Sequence, residues 1–217
     1  MRFRHLVIAA AAVLLAASPA LAKKAIDGSG KLETRNLDLP AFTKVDLGGA
    51  FDIDVTFGET AKVEVTIDDN LWDNLEADVD GGELRLDWIR NCKPSDDCRI
   101  RITMTQLEEF SLHGAGNVSI AGFDGPALAF KLRGAGDATI SGRTGALDVL
   151  LTGAGSLHAR DLEAKRVDVR LSGVGNCEVH AVDSLDADIS GVGNVDYWGE
   201  PEHKVTHVSG MGSIRGR

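Results

Sequence analysis

The sequence predicts an all-β fold: a parallel β-helix-like stack of coils with a β-rich N-terminal cap. The first observation is a repeat of about 19 residues, marked by six Gly-x-Gly motifs. Self-similarity at a fixed period is typical of stacked units. The second is the alternation of apolar and polar residues around each motif, which indicates strands with one buried face. The third is an Asn, Asp or Ser after every second glycine, a residue type that bonds to turn backbone.

The first residues of the chain resemble an export signal. Two arginines precede an apolar run at residues 6–17, and small residues follow at positions 20 and 22. This pattern predicts a secretory signal peptide over residues 1–22. A membrane anchor is the alternative, but a span needs about 20 apolar residues and this run is shorter. We therefore expect an exported protein with no membrane insertion after cleavage.

The charge of the chain excludes one class of partner. The formal net charge is −10, and it becomes −12 when the two arginines of the signal are removed. A chain this acidic repels phosphate backbones, so we expect no nucleic-acid partner.

Residues 36–217 are expected to form one domain, after a flexible segment at residues 23–35. Residues 36–109 show alternating apolar residues without the Gly-x-Gly mark, which predicts irregular capping coils that protect the open end of a stack. Within them, residues 71–75 could form a helical turn. Residues 110–217 carry the regular repeats.

Three cysteines follow the signal. Cys92 and Cys98 enclose a short loop, and in an oxidising compartment we expect a disulfide between them. The alternative is a metal site, but no third ligand stands nearby at zinc spacing. Cys177 falls in a column of apolar repeat positions, so we expect it to be buried.

The glycines of the repeat mark sharp corners between strands. Units stacked in parallel about 4.8 Å apart would share one apolar core. A corner at this spacing leaves little room for a Cβ atom, which explains why glycine recurs. The corner glycines are Gly114, Gly116, Gly134, Gly136, Gly153, Gly155, Gly173, Gly175, Gly191, Gly193, Gly210 and Gly212.

Other interpretations of the glycine motif fit poorly. A dinucleotide-binding loop should occur once, between a strand and a helix, whereas six copies here lie between predicted strands. Calcium-binding nonapeptide repeats have a period of about nine residues, which this chain lacks.

Stacking places equivalent residues of successive coils above one another, so two columns are candidate sites. Asp148, Asp168 and Asp186 share one outward column, where a divalent cation such as calcium could offset their repulsion. Arg170 lies on the same face and could relieve the repulsion instead, leaving a solvated acidic face.

The second column lies on the other outer face. It contains His158, Glu178 and Asp196, which could bind a transition metal, act in acid–base chemistry or serve solubility alone. The chain carries neither a Gly-x-Ser-x-Gly nor a His-Glu-x-x-His motif. We expect no catalytic residue and no cofactor.

The mature chain resembles the bacterial GIN domain, described as the head of an auto-transporter adhesin and also as a domain of unknown function. The resemblance begins at residues 39–45 and continues through the Gly-Ala-Gly units, and the stretch 190–201 is its most specific part. It implies a β-helix-like fold in the bacterial envelope, in the periplasm or at the cell surface, and brings no binding residue with it. The Cys92 to Cys98 insertion departs from the expected pattern.

These observations favour a non-enzymatic envelope protein, a scaffold or adhesin-like surface for glycan or another envelope component. The alternative is a carbohydrate-active enzyme of parallel β-helix type that uses the Asp148, Asp168 and Asp186 column with calcium. An exposed end of the stack could also pair with a second copy and form a homodimer.

Overall fold

The computed structural model describes residues 24–95 and 98–217, which form an almost purely β structure. The predicted signal peptide lies outside the described residues. A 3₁₀ turn at Trp72–Asn74 confirms the helical turn expected at residues 71–75. Among the described residues, no helix has the length and apolar character needed to cross a bilayer.

Eighteen strands make up the described chain. They are β1 (Ile26–Asp27), β2 (Leu32–Leu37), β3 (Lys44–Leu47), β4 (Asp52–Phe57), β5 (Lys62–Asp68), β6 (Leu75–Asp80), β7 (Glu83–Trp88), β8 (Cys92–Lys93), β9 (Arg99–Met104), β10 (Glu109–Leu112), β11 (Val118–Gly125), β12 (Leu128–Leu132), β13 (Ala138–Leu151), β14 (Leu157–Leu171), β15 (Val174–Ile189), β16 (Val192–Trp198), β17 (His203–Val208) and β18 (Met211–Gly216).

The regular repeats wind into a parallel β-solenoid of about five turns, as the repeat predicts. The first half of β13 pairs with β11 and its second half with β12, so one strand passes from one side of the coil to the other. The long strand β14 pairs in parallel with β13, and β15 pairs in parallel with β14. Equivalent repeat positions therefore lie above one another.

One apolar core runs through the stack. The residues that alternate inward are almost fully buried, and the rings of Phe110 and Phe130 stack with their centroids 5.9 Å apart. Cys177 is fully buried among them, and burial raises the pKa of its thiol. Its predicted place in the apolar column is confirmed.

The cap is more regular than its sequence suggested. Strands β3 and β4 pair in parallel with β10 and β11, so they belong to the same coil stack. Strands β5 and β6 run antiparallel to their neighbours near the N-terminal end. The turn between β3 and β4 lacks the Gly-x-Gly mark, yet its Ala50 pairs with Ala115 of the first glycine corner, so the corner column continues into the cap.

The segment at residues 23–35 differs from the expected flexible chain. It contains β1 and the first part of β2, which pair with β8 and β5 respectively. Leu32 and Leu37 are the only apolar residues of β2, so little alternation marks this strand in the sequence. Its order comes from pairing with a strand about 30 residues away.

The expected Cys92–Cys98 disulfide is absent from the structure, in which both residues are free cysteines. The Cys98 Sγ instead lies 3.7 Å from Oδ2 of the buried Asp68. The same carboxylate accepts hydrogen bonds from the Ser95 N–H, at 2.9 Å, and from the Gly30 N–H, at 2.7 Å. The carboxylate therefore pins the loop that the disulfide was expected to pin.

Candidate binding faces of the coil stack

The glycine corners are structural. A Cβ atom added to Gly134 would overlap the carbonyl oxygen of Gly114 in the preceding coil, and one added to Gly136 would overlap that of Gly116. Gly136 also has a φ of +133°, which residues with a side chain rarely adopt. Glycine at these positions lets successive coils approach to the spacing of a sheet.

The polar residues after each corner bond to one another from coil to coil. The Ser156 N–H donates to Asp137 Oδ1 at 2.8 Å, and the Asn194 N–H donates to Asn176 Oδ1 at 3.2 Å. These residues therefore form a polar ladder along one edge of the stack. Its acceptor atoms are engaged within the stack, so the ladder is first a structural device.

The structure brings Asp148, Asp168 and Asp186 together in one outward column. They occupy paired positions on β13, β14 and β15. Burial raises the pKa of Asp168, Arg170 opposes that rise, and the carboxylates of the other two aspartates add to it. Arg170 donates to Asp168 Oδ2 at 3.1 Å, so a basic neighbour offsets the central charge. We call the outer surface of β12 to β15 around this column the Asp face.

A shallow depression of about 330 Å³ lies in the Asp face. Ala129 pairs with Asp148 and stands in the same column, where its small side chain leaves a gap. Lys131 and Arg170 border the gap as donors, and Asp148 and Asp168 border it as acceptors. Lys131 is itself held by an ion pair with Glu109.

Size alone does not distinguish this depression. Others of about 370 and 410 Å³ lie beside the Cys92 loop and beside Asp52. The Asp-face depression differs from these two because it combines ammonium and guanidinium donors with carboxylate acceptors around an uncharged floor. A smaller depression of about 260 Å³, beside Arg143 and Lys165, has the same combination. Such a set can bind vicinal hydroxyl groups, which both donate and accept hydrogen bonds.

The second predicted column also forms, on the opposite face of the coil. His158, Glu178 and Asp196 are paired in register on β14, β15 and β16. His158 Nδ1 lies 3.2 Å from Glu178 Oε2, whereas Asp196 is bound by Arg217 at 3.1 Å. The histidine therefore contacts the glutamate, whereas the aspartate forms an ion pair with Arg217.

Within residues 24–95 and 98–217, no group of three or more His, Cys, Asp or Glu side chains is arranged to hold a metal ion. In the two columns, Asp168 and Asp196 form ion pairs with arginines, and His158 contacts Glu178.

The sequence did not single out Ala129 and Lys131. Alanine is apolar and sits in a strand, so its outward position carried no signal before the register was known. A comparison down the column could have found it, because neighbouring coils place Glu109 and Asp148 at the same position.

Known proteins share this architecture. A sequence model of the family described as "Putative auto-transporter adhesin, head GIN domain" matches residues 41–201. A crystal structure of a "putative adhesin" from Bacteroides fragilis is 24% identical, with a TM-score of 0.72 over 88% of this chain and 100% of that chain. One from Parabacteroides merdae is 18% identical, with a TM-score of 0.53 over 88% and 98%. No curated protein matches. At these identities the two structures show a shared fold.

Proposed function

The chain belongs to the head GIN domain family, and from that premise we propose that it is a non-enzymatic, adhesin-like protein exported to the bacterial envelope. Its binding surface is the Asp face, and the ligand is an envelope glycan. The export signal in the sequence and the word adhesin in the descriptions of the family and of both similar structures support this proposal.

The observation that carries the choice of ligand is the depression above Ala129. Lys131 and Arg170 donate and Asp148 and Asp168 accept around one small, uncharged floor. A pyranose ring offers several hydroxyl groups that need both kinds of partner. The side chains stand on paired strands, so no backbone has to be ordered when they bind, and ion pairs with Glu109 and Asp168 already orient Lys131 and Arg170.

The alternative, a β-helix carbohydrate-active enzyme with calcium on the acidic column, has less support. Arg170 already supplies positive charge to Asp168, which is the role that a bound cation would have. Neither similar structure is described as an enzyme.

A glycan array of purified bacterial envelope polysaccharides tests the proposal. We expect the protein to bind at least one polysaccharide. The Ala129→Phe variant should bind it at least about tenfold more weakly, because the new ring fills the depression. Arg170→Ala should weaken binding by about tenfold through loss of a charged donor.

Thr139→Phe is the matched control, since Thr139 is exposed on the opposite face. It should leave glycan binding unchanged. Loss of binding in Thr139→Phe but not in Ala129→Phe would place the site on the opposite face. An array with no bound polysaccharide would overturn the proposal.

A further inference from the structure

Both ends of one sheet in the solenoid expose a strand with a single partner. Among the described residues, β17 pairs only with β15 at the C-terminal end, and β6 pairs only with β7 at the N-terminal end. Each strand has six residues. A strand with one partner presents a row of backbone N–H and C=O groups to a further strand.

The C-terminal end is basic and apolar. Residues 203–217 contain two histidines, one lysine and two arginines but no acidic residue, in a chain of net charge −10. Every residue of β17 is exposed, and Val205 is 62% exposed. Met211 at the start of β18 is 70% exposed. An apolar surface with basic residues around it marks a contact site for an acidic partner.

The N-terminal end has the opposite charge. Residues 68–83 contain seven acidic residues and no basic one. On β6, the exposed positions are Glu76, Asp78 and Asp80, and they alternate with the half-buried Leu75, Ala77 and Val79. The end that could receive β17 is thus acidic outside and apolar towards the core.

We infer that β17 of one copy pairs with β6 of a second copy, so that the protein assembles head to tail. This inference is independent of the glycan proposal. Strand β6 runs antiparallel to β7, whereas β17 has the direction of the parallel stack to which β7 belongs. A second copy stacked in the same orientation therefore meets β17 with an antiparallel β6.

The side chains match in this register. On the outer face of this register, His203 faces Asp80, Val205 faces Asp78 and His207 faces Glu76 of the next copy. An imidazole N–H can donate a hydrogen bond to a facing carboxylate, whereas like charges directly opposite each other oppose pairing. Two β6 strands would bring carboxylates together, so unlike ends pair in preference to like ends. A contact between unlike surfaces that does not close gives linear assemblies.

Sedimentation velocity of the purified protein at rising concentration tests this arrangement. We expect the mean mass to grow with concentration, and we expect about 0.5 M NaCl to reduce it because salt screens the charged contacts. In Glu76→Lys/Asp78→Lys/Asp80→Lys, β6 becomes basic. In His203→Glu/Val205→Glu/His207→Glu, β17 becomes acidic. Each variant alone should associate at least about tenfold more weakly than the wild type.

Mixing the two variants is the decisive step. Each then offers the other a complementary end, so association should return. Lys204 stays unchanged because its Nζ donates to Tyr197 Oη at 2.9 Å. A monomeric wild type at every concentration would overturn the inference. So would association that survives the β6 changes but not the β17 changes, which would indicate symmetric pairing of two β17 strands.

Discussion

Asp68 shows how one buried carboxylate organises three separate parts of the chain. It is fully buried, and its oxygens receive the N–H groups of Gly30 and Ser95, the Ser95 hydroxyl and the Cys98 thiol. Burial alone would raise the pKa of this carboxyl, but the donors outweigh it and hold the pKa below its usual value. The ionised form is therefore the one that the fold requires.

We predict that Asp68→Asn destabilises the protein by about 2 kcal/mol at pH 7, because an amide cannot accept from all of these donors. The folded-state pKa is lowered, so the contribution of Asp68 is present above the unfolded pKa of about 3.9 and is lost as the pH falls below it. Denaturant unfolding from pH 7 to pH 3 measures both effects.

The gap in unfolding free energy between wild type and Asp68→Asn should shrink as the solution is acidified through this window. Asp161→Asn, at an exposed position, is the control and should give no gap at any pH. A gap that stays constant down to pH 3 would show that the charge of Asp68 contributes nothing.

At the scale of the element, each corner combines two glycines with a polar residue. The glycines allow close approach of successive backbones, and the following Asn, Asp or Ser bonds to the next coil. The two features serve one purpose, since the polar bond closes only when the coils are at sheet spacing. This is why they recur together.

We predict that Gly136→Ala costs on the order of 3 kcal/mol, because its Cβ meets the Gly116 carbonyl and its φ is unfavourable for alanine. Chemical denaturation measures the loss. Ala135→Ser, at the exposed neighbouring position, should change stability by less than about 0.5 kcal/mol. Equal effects of the two changes would contradict this account of the corner.

At the scale of the whole molecule, each inner coil is stabilised by its two neighbours, and an end coil by one. Strands β17 and β18 form the last coil and cover β15 and β16. In such a stack the stability is close to a sum of coil terms and contacts between neighbours. Loss of an end coil should therefore weaken the fold without abolishing it.

We predict that deletion of residues 203–217 leaves the β spectrum in circular dichroism and lowers the Tm by about 2 to 8 °C. Val169→Asp places a charge in the buried core of a central coil and should unfold the protein at 37 °C. Complete unfolding after the end deletion would mean that the coils do not act as a chain of neighbours.

The sequence by itself determined the features that repeat. The corner glycines, the inward columns and the columns that hold Asp168 and Glu178 all follow from a fixed period and an alternation of two. Because the coils stack, residues one repeat apart in the sequence become neighbours in space. The repeat length therefore predicts many contacts at once. The fold and the Asp column could be predicted for this reason.

Only the tertiary structure decided the features that occur once. Asp68 is bonded to residues 38 and 27 positions away, and no repeat relates them. The two free cysteines, the strand at Leu32, the depression above Ala129 and the unlike end strands β6 and β17 depend on such distant pairings. A local pattern records which face of a strand is buried, but the partner across a non-repeating contact is set by the path of the whole chain.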